Sequence, residues 1–208
     1  MTTSREGQGK GLGFSHFLKL GLGLSLIGGL LGGDFFRRWP DSFDGLSPAV
    51  WAQELPGGIS FFSAPPQLVD SATTFSGVSV PTPKYYFTIA IPANAGQGLA
   101  KVVFQRQNSP DPIDFYPDRT EAFNGDRQNL GQSIPLQTTL WDDNTGLLTV
   151  SFAEPVAPGQ TVTIRLIPHQ NPDVAGTYQF RLLAFPPGDQ AQSMDLGVAR
   201  LQFYQGIF

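Results

Sequence analysis

Four acidic residues crowd one short stretch of the chain and are the first candidates for chemistry. They are Asp111, Asp114, Asp118 and Glu121. Two carboxylates at a suitable separation can hydrolyse a glycoside when burial raises the pKa of one of them, which then acts as the acid. Acidic residues also start turns and cap short helices, as Asp118 could do before Glu121. The sequence favours this structural role, so no catalytic residue is assigned.

Three aromatic residues share that stretch, namely Phe115, Tyr116 and Phe123. Their rings could stack on sugar rings, with Asp114 and Glu121 beside them as hydrogen-bonding groups. Rings in such a position more often fill the open end of a β-sandwich. These five residues form a speculative ligand-binding set, and the filling role is the favoured interpretation of the aromatic ones.

The segment Asp142-Asp143-Asn144-Thr145-Gly146 offers oxygen ligands of the kind that calcium prefers. It lacks an acidic residue at the position that closes a calcium loop. A hairpin turn between two strands explains the same residues, with Gly146 free to take a positive φ. We expect the hairpin and no cofactor, with calcium at Asp142, Asp143 and Asn144 as the weaker alternative.

The residue types that carry most catalytic chemistry are nearly missing. The chain has no cysteine, and of its two histidines only His169 lies outside the first 52 residues. A disulfide scaffold, a thiol nucleophile and a thiolate metal site are therefore excluded, and a zinc site lacks enough ligands. A lone histidine after Pro168 is typical of a surface turn. We expect a protein that is not an enzyme.

The charge balance limits the partners. Residues 53–208 carry 8 basic and 13 acidic residues, hence a net charge of −5. Such a surface disfavours nucleic acid and anionic membranes because both repel negative charge. No nucleic-acid partner is expected.

Short runs of alternating apolar and polar residues follow one another from residue 59 onward, separated by Pro and Gly. The clearest runs are at 85–91, 102–105, 148–152, 161–166, 178–182 and 200–204. Many short strands with turns between them predict an all-β fold. The segment 173–180 resembles the tyrosine corner of immunoglobulin-like sandwiches, with Tyr178 bonding to upstream backbone and Phe180 in place of a core cysteine. The predicted fold is an immunoglobulin-like antiparallel β-sandwich.

Residues 107–135 do not follow this alternation of apolar and polar residues because they are rich in Pro, Asp, Asn and Gly. Such a long excursion is either a functional loop or a flap that covers an open sheet edge, and both interpretations stay open. Pro117 suggests one helical turn over Asp118–Phe123.

Residues 1–52 have the order of regions that export requires. Basic residues come first, then an apolar run from Leu20 to Leu31, then the small-residue ending Ala49-Val50-Trp51-Ala52. This pattern predicts a signal peptide cut after Ala52, with an uncleaved N-terminal anchor as the alternative. Residues 53–208 then form a single β-sandwich domain that is exported to the periplasm or the extracellular space, and the anchor would leave it tethered to the membrane.

Several segments taken together resemble a family of secreted cyanobacterial proteins known only as a domain of unknown function. The segments are Tyr85–Ile89, Ile91–Gly96 (IPANAG), Thr120–Gly125, Pro155–Gly159, Asn171-Pro172, Ala184–Gly188 and Leu196–Tyr204 (LGVARLQFY). The resemblance implies an exported cyanobacterial domain and implies no activity. At Val198-Ala199-Arg200 the chain departs from the more usual family pattern.

Two functions from different classes follow from these observations. The first is a non-enzymatic envelope protein that binds another envelope component, protein or glycan, of unknown identity. The alternative is a carbohydrate-binding or carbohydrate-cleaving module that uses the 107–135 excursion. A calcium-stabilised adhesion module is a weaker third idea.

Overall fold

The computed structural model describes residues 58–107 and 109–206. The predicted signal peptide or anchor of residues 1–52 lies outside the described residues. Within the described part of the chain, no helix is long and apolar enough to cross a membrane.

Two five-stranded antiparallel sheets form the body of the protein. In chain order the strands are β1 Ile59–Ser60, β2 Gln67–Thr73, β3 Tyr85–Ala90, β4 Leu99–Arg106, β5 Glu121–Asn124, β6 Ser133–Ile134, β7 Leu136–Asp142, β8 Leu147–Val156, β9 Thr161–Leu166, β10 Gly176–Phe185, β11 Gln190–Ala191 and β12 Met194–Phe203. Sheet I has the order β12-β10-β4-β8-β7, and sheet II has the order β2-β3-β9-β5-β6. The short strands β1 and β11 form a separate parallel pair. The prediction of an all-β, immunoglobulin-like antiparallel β-sandwich is confirmed.

The core lies between the two sheets, where alternating residues from each strand meet. Phe87 of sheet II packs against Phe104 and Phe180 of sheet I, with ring centroids 4.9 and 5.9 Å apart. All three rings are at most 1% exposed. The alternation in the sequence therefore predicts the inward faces of these strands correctly. The polar residues that alternate with the buried ones point away from the core.

The 107–135 excursion contributes two strands to sheet II. Strand β5 pairs with β9, and β6 pairs with β5. The loop after β5 reaches over the outer face of the sheet, where Arg127 pairs with Asp70 of β2 at 3.1 Å. Beneath it, the outward-facing Thr88 and Thr163 are buried and hydrogen-bond each other at 2.9 Å. The excursion thus completes one sheet and covers part of its outer face.

The predicted helical turn over Asp118–Phe123 is wrong for most of its length. A 3₁₀ turn occupies Pro117–Arg119, Thr120 is already extended, and Glu121 starts β5. Pro117 fixes φ and favours the start of the turn. The residues from Glu121 onward pair with β9 and are therefore extended. Asp118 does not cap the turn, because the capping position is Tyr116 and its side chain makes no capping hydrogen bond.

The tyrosine corner is present as the sequence predicts. The Tyr178 hydroxyl donates to the carbonyl oxygen of Val174 at 2.8 Å. Phe180 is 1% exposed and contacts Phe87, so it fills the place that a core cysteine has in other immunoglobulin-like sandwiches. The hydrogen bond joins the start of β10 to the loop that precedes it.

We expect Tyr178→Phe to lower the free energy of unfolding by about 1 kcal/mol, because the ring stays and only one hydrogen bond is lost. Urea denaturation measures this difference. Tyr204→Phe is the matched control, since Tyr204 is 58% exposed, and it should leave the free energy of unfolding unchanged. Equal effects of the two substitutions would contradict a structural role for the corner.

Candidate functional site

The structure separates the five residues of the predicted ligand-binding set. Phe115 lies in the core at 3% exposure. Its ring packs edge-on against Trp141 at 5.2 Å, Phe180 at 6.0 Å and Tyr85 at 6.1 Å. Phe115 therefore joins the two sheets and offers almost no surface to a ligand.

Tyr116 points the other way from Phe115 and lies half-buried on the outer side of sheet II. Its backbone amide donates to the Ile167 carbonyl at 2.9 Å, which extends the pairing of β9. The His169 ring is 4.0 Å from the Tyr116 ring, and the Arg119 guanidinium is 4.4 Å from it. These neighbours occupy ring surface that a sugar would need.

Glu121 and Phe123 lie on the outer side of β5, two residues apart, with Arg165 of β9 between them. Glu121 forms an ion pair with Arg165. The Arg165 guanidinium also lies 4.9 Å from the centre of the Phe123 ring. The structure thus brings Glu121 and Phe123 together, but each is already in contact with the same arginine.

Two further acidic residues of the excursion make contacts of their own. Asp111 accepts a hydrogen bond from the Asp173 amide at 2.7 Å, which fixes the loop before β10. The Asp114 side chain is exposed, and its backbone carbonyl accepts from the His169 amide at 2.9 Å. Among residues 58–107 and 109–206, no group of three or more His, Cys, Asp or Glu side chains could hold a metal ion.

The hairpin predicted at Asp142–Gly146 joins β7 to β8. Asp142 Oδ1 accepts from the Asn144 amide at 3.0 Å, and Oδ2 accepts from the Thr145 hydroxyl at 2.7 Å. Gly146 has a φ of 64°, which glycine adopts without strain. Both carboxylate oxygens of Asp142 therefore accept hydrogen bonds within the turn. Calcium binding at Asp142, Asp143 and Asn144 stays a prediction.

The turn lowers the pKa of Asp142 below its ordinary value of 3.8, chiefly through the Thr145 hydroxyl. A lowered pKa means that the stabilisation is present above pH 3.8 and is lost as the pH falls through the folded-state pKa. We expect the Asp142 carboxyl to titrate below 3.8 in an NMR pH series, and Thr145→Val to raise that midpoint. A midpoint at or above 3.8 in the unmodified protein would contradict the turn geometry.

A polar cluster that the sequence does not reveal lies at the end of the sandwich where β3 begins. Asn171 is fully buried. Its Oδ1 accepts from the Tyr85 hydroxyl at 2.8 Å, and its Nδ2 donates to the carbonyls of Phe75 at 2.9 Å and Gly77 at 2.7 Å. Burial raises the pKa of Tyr85 far above its ordinary range, so its hydroxyl stays a donor. Asn171 thereby fixes the loop between β2 and β3.

That loop, residues 74–84, has unusual backbone geometry. Ser79 and Thr82 have φ angles of 56° and 45°, which cost side chains other than glycine roughly 1–3 kcal/mol each. The Ser79 amide donates to the Pro172 carbonyl at 3.1 Å, and the Thr82 amide donates to the His169 carbonyl at 3.0 Å. Surrounding contacts therefore hold the loop in a strained conformation.

Two exposed aromatic side chains adjoin this hydrogen-bonded loop. Phe75 is 57% exposed, and Tyr204, just after β12, is 58% exposed. The Tyr204 amide donates to the Ser76 carbonyl at 2.8 Å, and its carbonyl accepts from the Val78 amide at 3.1 Å. We call Phe75 and Tyr204 the aromatic pair. Sequence patterns do not reveal the aromatic pair, because Asn171, which binds the Phe75 carbonyl, lies 96 positions away in the chain.

Residues 59–203 match the family described as "Protein of unknown function (DUF2808)". The chain belongs to the DUF2808 family. The match spans the sandwich from β1 to the end of β12, so the described DUF2808 domain includes Phe75, Asn171 and the 107–135 excursion. Secretion and cyanobacterial origin, which the resemblance implied, stay predictions.

Solved structures show distant likenesses to the DUF2808 chain. A structure with manganese lipoxygenase of Gaeumannomyces graminis and part of a zonadhesin of Komagataella pastoris matches with a TM-score of 0.42 and 14% identity, over 65% of this chain and 48% of that one. The C-terminal domain of a Streptococcus pyogenes antigen I/II-family protein gives 0.38 and 13%, over 60% and 42%. The collagen-binding domain of a Staphylococcus aureus adhesin gives 0.38 and 6%, over 65% and 95%.

The DUF2808 chain spans less than half the length of the first two of these structures. None of the likenesses supports a ligand or a reaction for this chain. The comparison with curated proteins finds no match.

Proposed function

We propose that this protein is a non-enzymatic binding module of the cell envelope. The observation that carries the proposal is the aromatic pair, which is exposed and is supported by a buried asparagine. Rigid exposed aromatic rings suit binding because little conformational entropy is lost when a ligand covers them. The positive φ angles of Ser79 and Thr82 raise the free energy of the loop that carries Phe75. Such backbone strain is expected of a loop that serves recognition.

The contacts of the acidic residues support a binding role over a hydrolytic one. Glu121 is paired with Arg165, and Asp111 holds the Asp173 amide. A hydrolytic pair would need one carboxyl kept protonated by burial, whereas Asp114 is exposed. Placement in the envelope rests on the composition of residues 1–52, and the net charge of residues 53–208 argues against nucleic acid as the partner.

The test combines an activity screen with cell fractionation. We expect the purified full-length chain to turn over no substrate in a broad hydrolase panel, and the native protein to be found in the envelope or the external medium. Turnover that disappears with Asp114→Asn or Glu121→Gln would contradict the proposal. So would native protein confined to the cytoplasm. The first residue of the native chain then distinguishes release, which starts at Gln53, from an uncleaved anchor.

The cluster of Glu121, Phe123 and Arg165 supports a second candidate, a carbohydrate-binding module that uses the 107–135 excursion. One carboxylate, one ring and one guanidinium on the outer face of sheet II can together contact a sugar. Under this alternative, Phe123→Ala should abolish glycan binding, and Tyr116→Ala should weaken it less because Arg119 and His169 already contact the Tyr116 ring. Unchanged binding in both variants would reject it.

A further inference from the structure

We propose that the aromatic pair, Phe75 and Tyr204, is a binding site for a neutral glycan chain. The inference deepens the proposed binding function, on which it rests, by naming the surface and the chemical class of the ligand.

Both rings are exposed on adjoining segments of backbone. Phe203 is buried at 1% exposure, so the next residue, Tyr204, points outward. Tyr204 forms a parallel bridge with Gly77, and Val78 packs on the core. Gly77 therefore faces the same way as Tyr204, and Phe75 precedes Ser76, whose carbonyl accepts from the Tyr204 amide. Because residue 77 is a glycine, the position that bridges to Tyr204 carries no side chain.

Polar, uncharged side chains adjoin the aromatic pair, and the backbone of Lys84 pairs with Thr74 beside them. Gln202 shares the outward side of β12 with Tyr204, and it is paired with Thr177 of β10 by a side-chain hydrogen bond. The exposed Thr74 and Ser76 flank Phe75. A sugar ring has apolar C–H faces that stack on aromatic rings and a rim of hydroxyls that bonds to such groups. Hydroxyl and amide neighbours suit a neutral ligand, which such groups bind through hydrogen bonds.

The size of the patch also favours a glycan over a folded protein. Two aromatic side chains that are a little more than half exposed present about 200 Å². A standard protein interface buries about 800 Å² on each partner around a hydrophobic centre. The aromatic pair is therefore large enough for a few sugar rings and small for a protein partner.

The test uses isothermal titration of the purified full-length chain with four probes: cellohexaose, chitohexaose, maltohexaose and xylohexaose. We expect at least one to bind, and Phe75→Ser and Tyr204→Ser each to weaken its affinity about tenfold, which is 1.4 kcal/mol. Both side chains are mostly exposed, so both variants should fold. Leu140→Ser is the matched control, because Leu140 is 64% exposed on another strand, and its affinity should be unchanged.

A second variant blocks the site without removing a ring. A Cβ added at Gly77 would lie 3.5 Å from Val80, which is an ordinary contact, so Gly77→Val should fold and place its side chain beside Tyr204, the bridge partner of Gly77. We expect it to weaken binding about as much as Phe75→Ser does. Unchanged affinity in Gly77→Val, Phe75→Ser and Tyr204→Ser would overturn the assignment of the site.

The same titrations separate this inference from the proposed function. Chromatography of the probes afterwards shows whether they are intact. If no probe binds, the glycan assignment is overturned while a non-enzymatic binding role for another ligand stands. If a probe is cleaved, the non-enzymatic function itself fails. Equal weakening by Phe75→Ser and Leu140→Ser would also overturn the inference, because it would indicate a wide apolar contact with no specific site.

Discussion

Replacing Phe115 by alanine is expected to lower the free energy of unfolding by about 3–5 kcal/mol, the usual cost of removing a buried phenylalanine. The ring touches Tyr85, Trp141 and Phe180, so its removal leaves a cavity that borders both sheets. The next residue, Tyr116, is the matched control. Its ring lies on the outer side beside Arg119 and His169, and Tyr116→Ala should cost about 1 kcal/mol or less.

Urea denaturation of both variants measures this difference directly. A large effect of Phe115→Ala beside a small effect of Tyr116→Ala would support the placement of the 107–135 excursion against the core. Similar small effects would mean that the excursion is a surface loop, and would contradict the structural role assigned to Phe115.

Replacing Asn171 by leucine is expected to lower the free energy of unfolding by about 3 kcal/mol or more. The substitution removes three hydrogen bonds. The buried Tyr85 hydroxyl and the Gly77 carbonyl lose their bonds to Asn171, whereas the Phe75 carbonyl still accepts from the Thr73 hydroxyl at 3.0 Å. Gln170→Leu is the matched control, because the neighbouring Gln170 side chain is exposed and donates to Asp173. It should change the free energy of unfolding by about 0.5 kcal/mol or less.

The substitution Asn171→Asp distinguishes the hydrogen bond to Tyr85 from the two hydrogen bonds to the loop. An aspartate side chain can still accept from Tyr85, but it has no amide group to donate to the carbonyls of Phe75 and Gly77. We expect faster hydrogen exchange at the Val78 and Tyr204 amides, which bond across this loop. Unchanged exchange at both amides would contradict the view that Asn171 holds the aromatic pair in place.

Much of the fold could be predicted because alternation is a local property. Residues 161–166 and 178–182 alternate cleanly, and their apolar members are all buried. The tyrosine corner is likewise encoded within a few residues around Tyr178. Strand β2 was missed because Gln67–Thr73 mixes polar and apolar residues, and its register shifts between Leu68 and Asp70, so it has no regular period.

The candidate sites were harder to predict because they depend on residues far apart in the chain. Alternation implies that Phe115 and Tyr116 face opposite ways, but only tertiary packing decides which of them enters the core. Arg165 meets Glu121 and Phe123 because β9 and β5 are neighbours, although 44 residues separate Arg165 from Glu121. In the sequence, Asn171 resembles an ordinary turn residue before Pro172. Its role depends on the position of the 74–84 loop, which the sequence does not give.

The most direct test of a non-enzymatic glycan-binding domain is an NMR titration of the labelled full-length chain with the four hexasaccharides. We predict that a bound probe shifts the amide signals of residues 74–78 and 202–205 and is recovered intact. Shifts confined to residues 116–124 would place the ligand on the 107–135 excursion instead. The absence of shifts with every probe, or recovery of shortened sugars, would contradict the central claim.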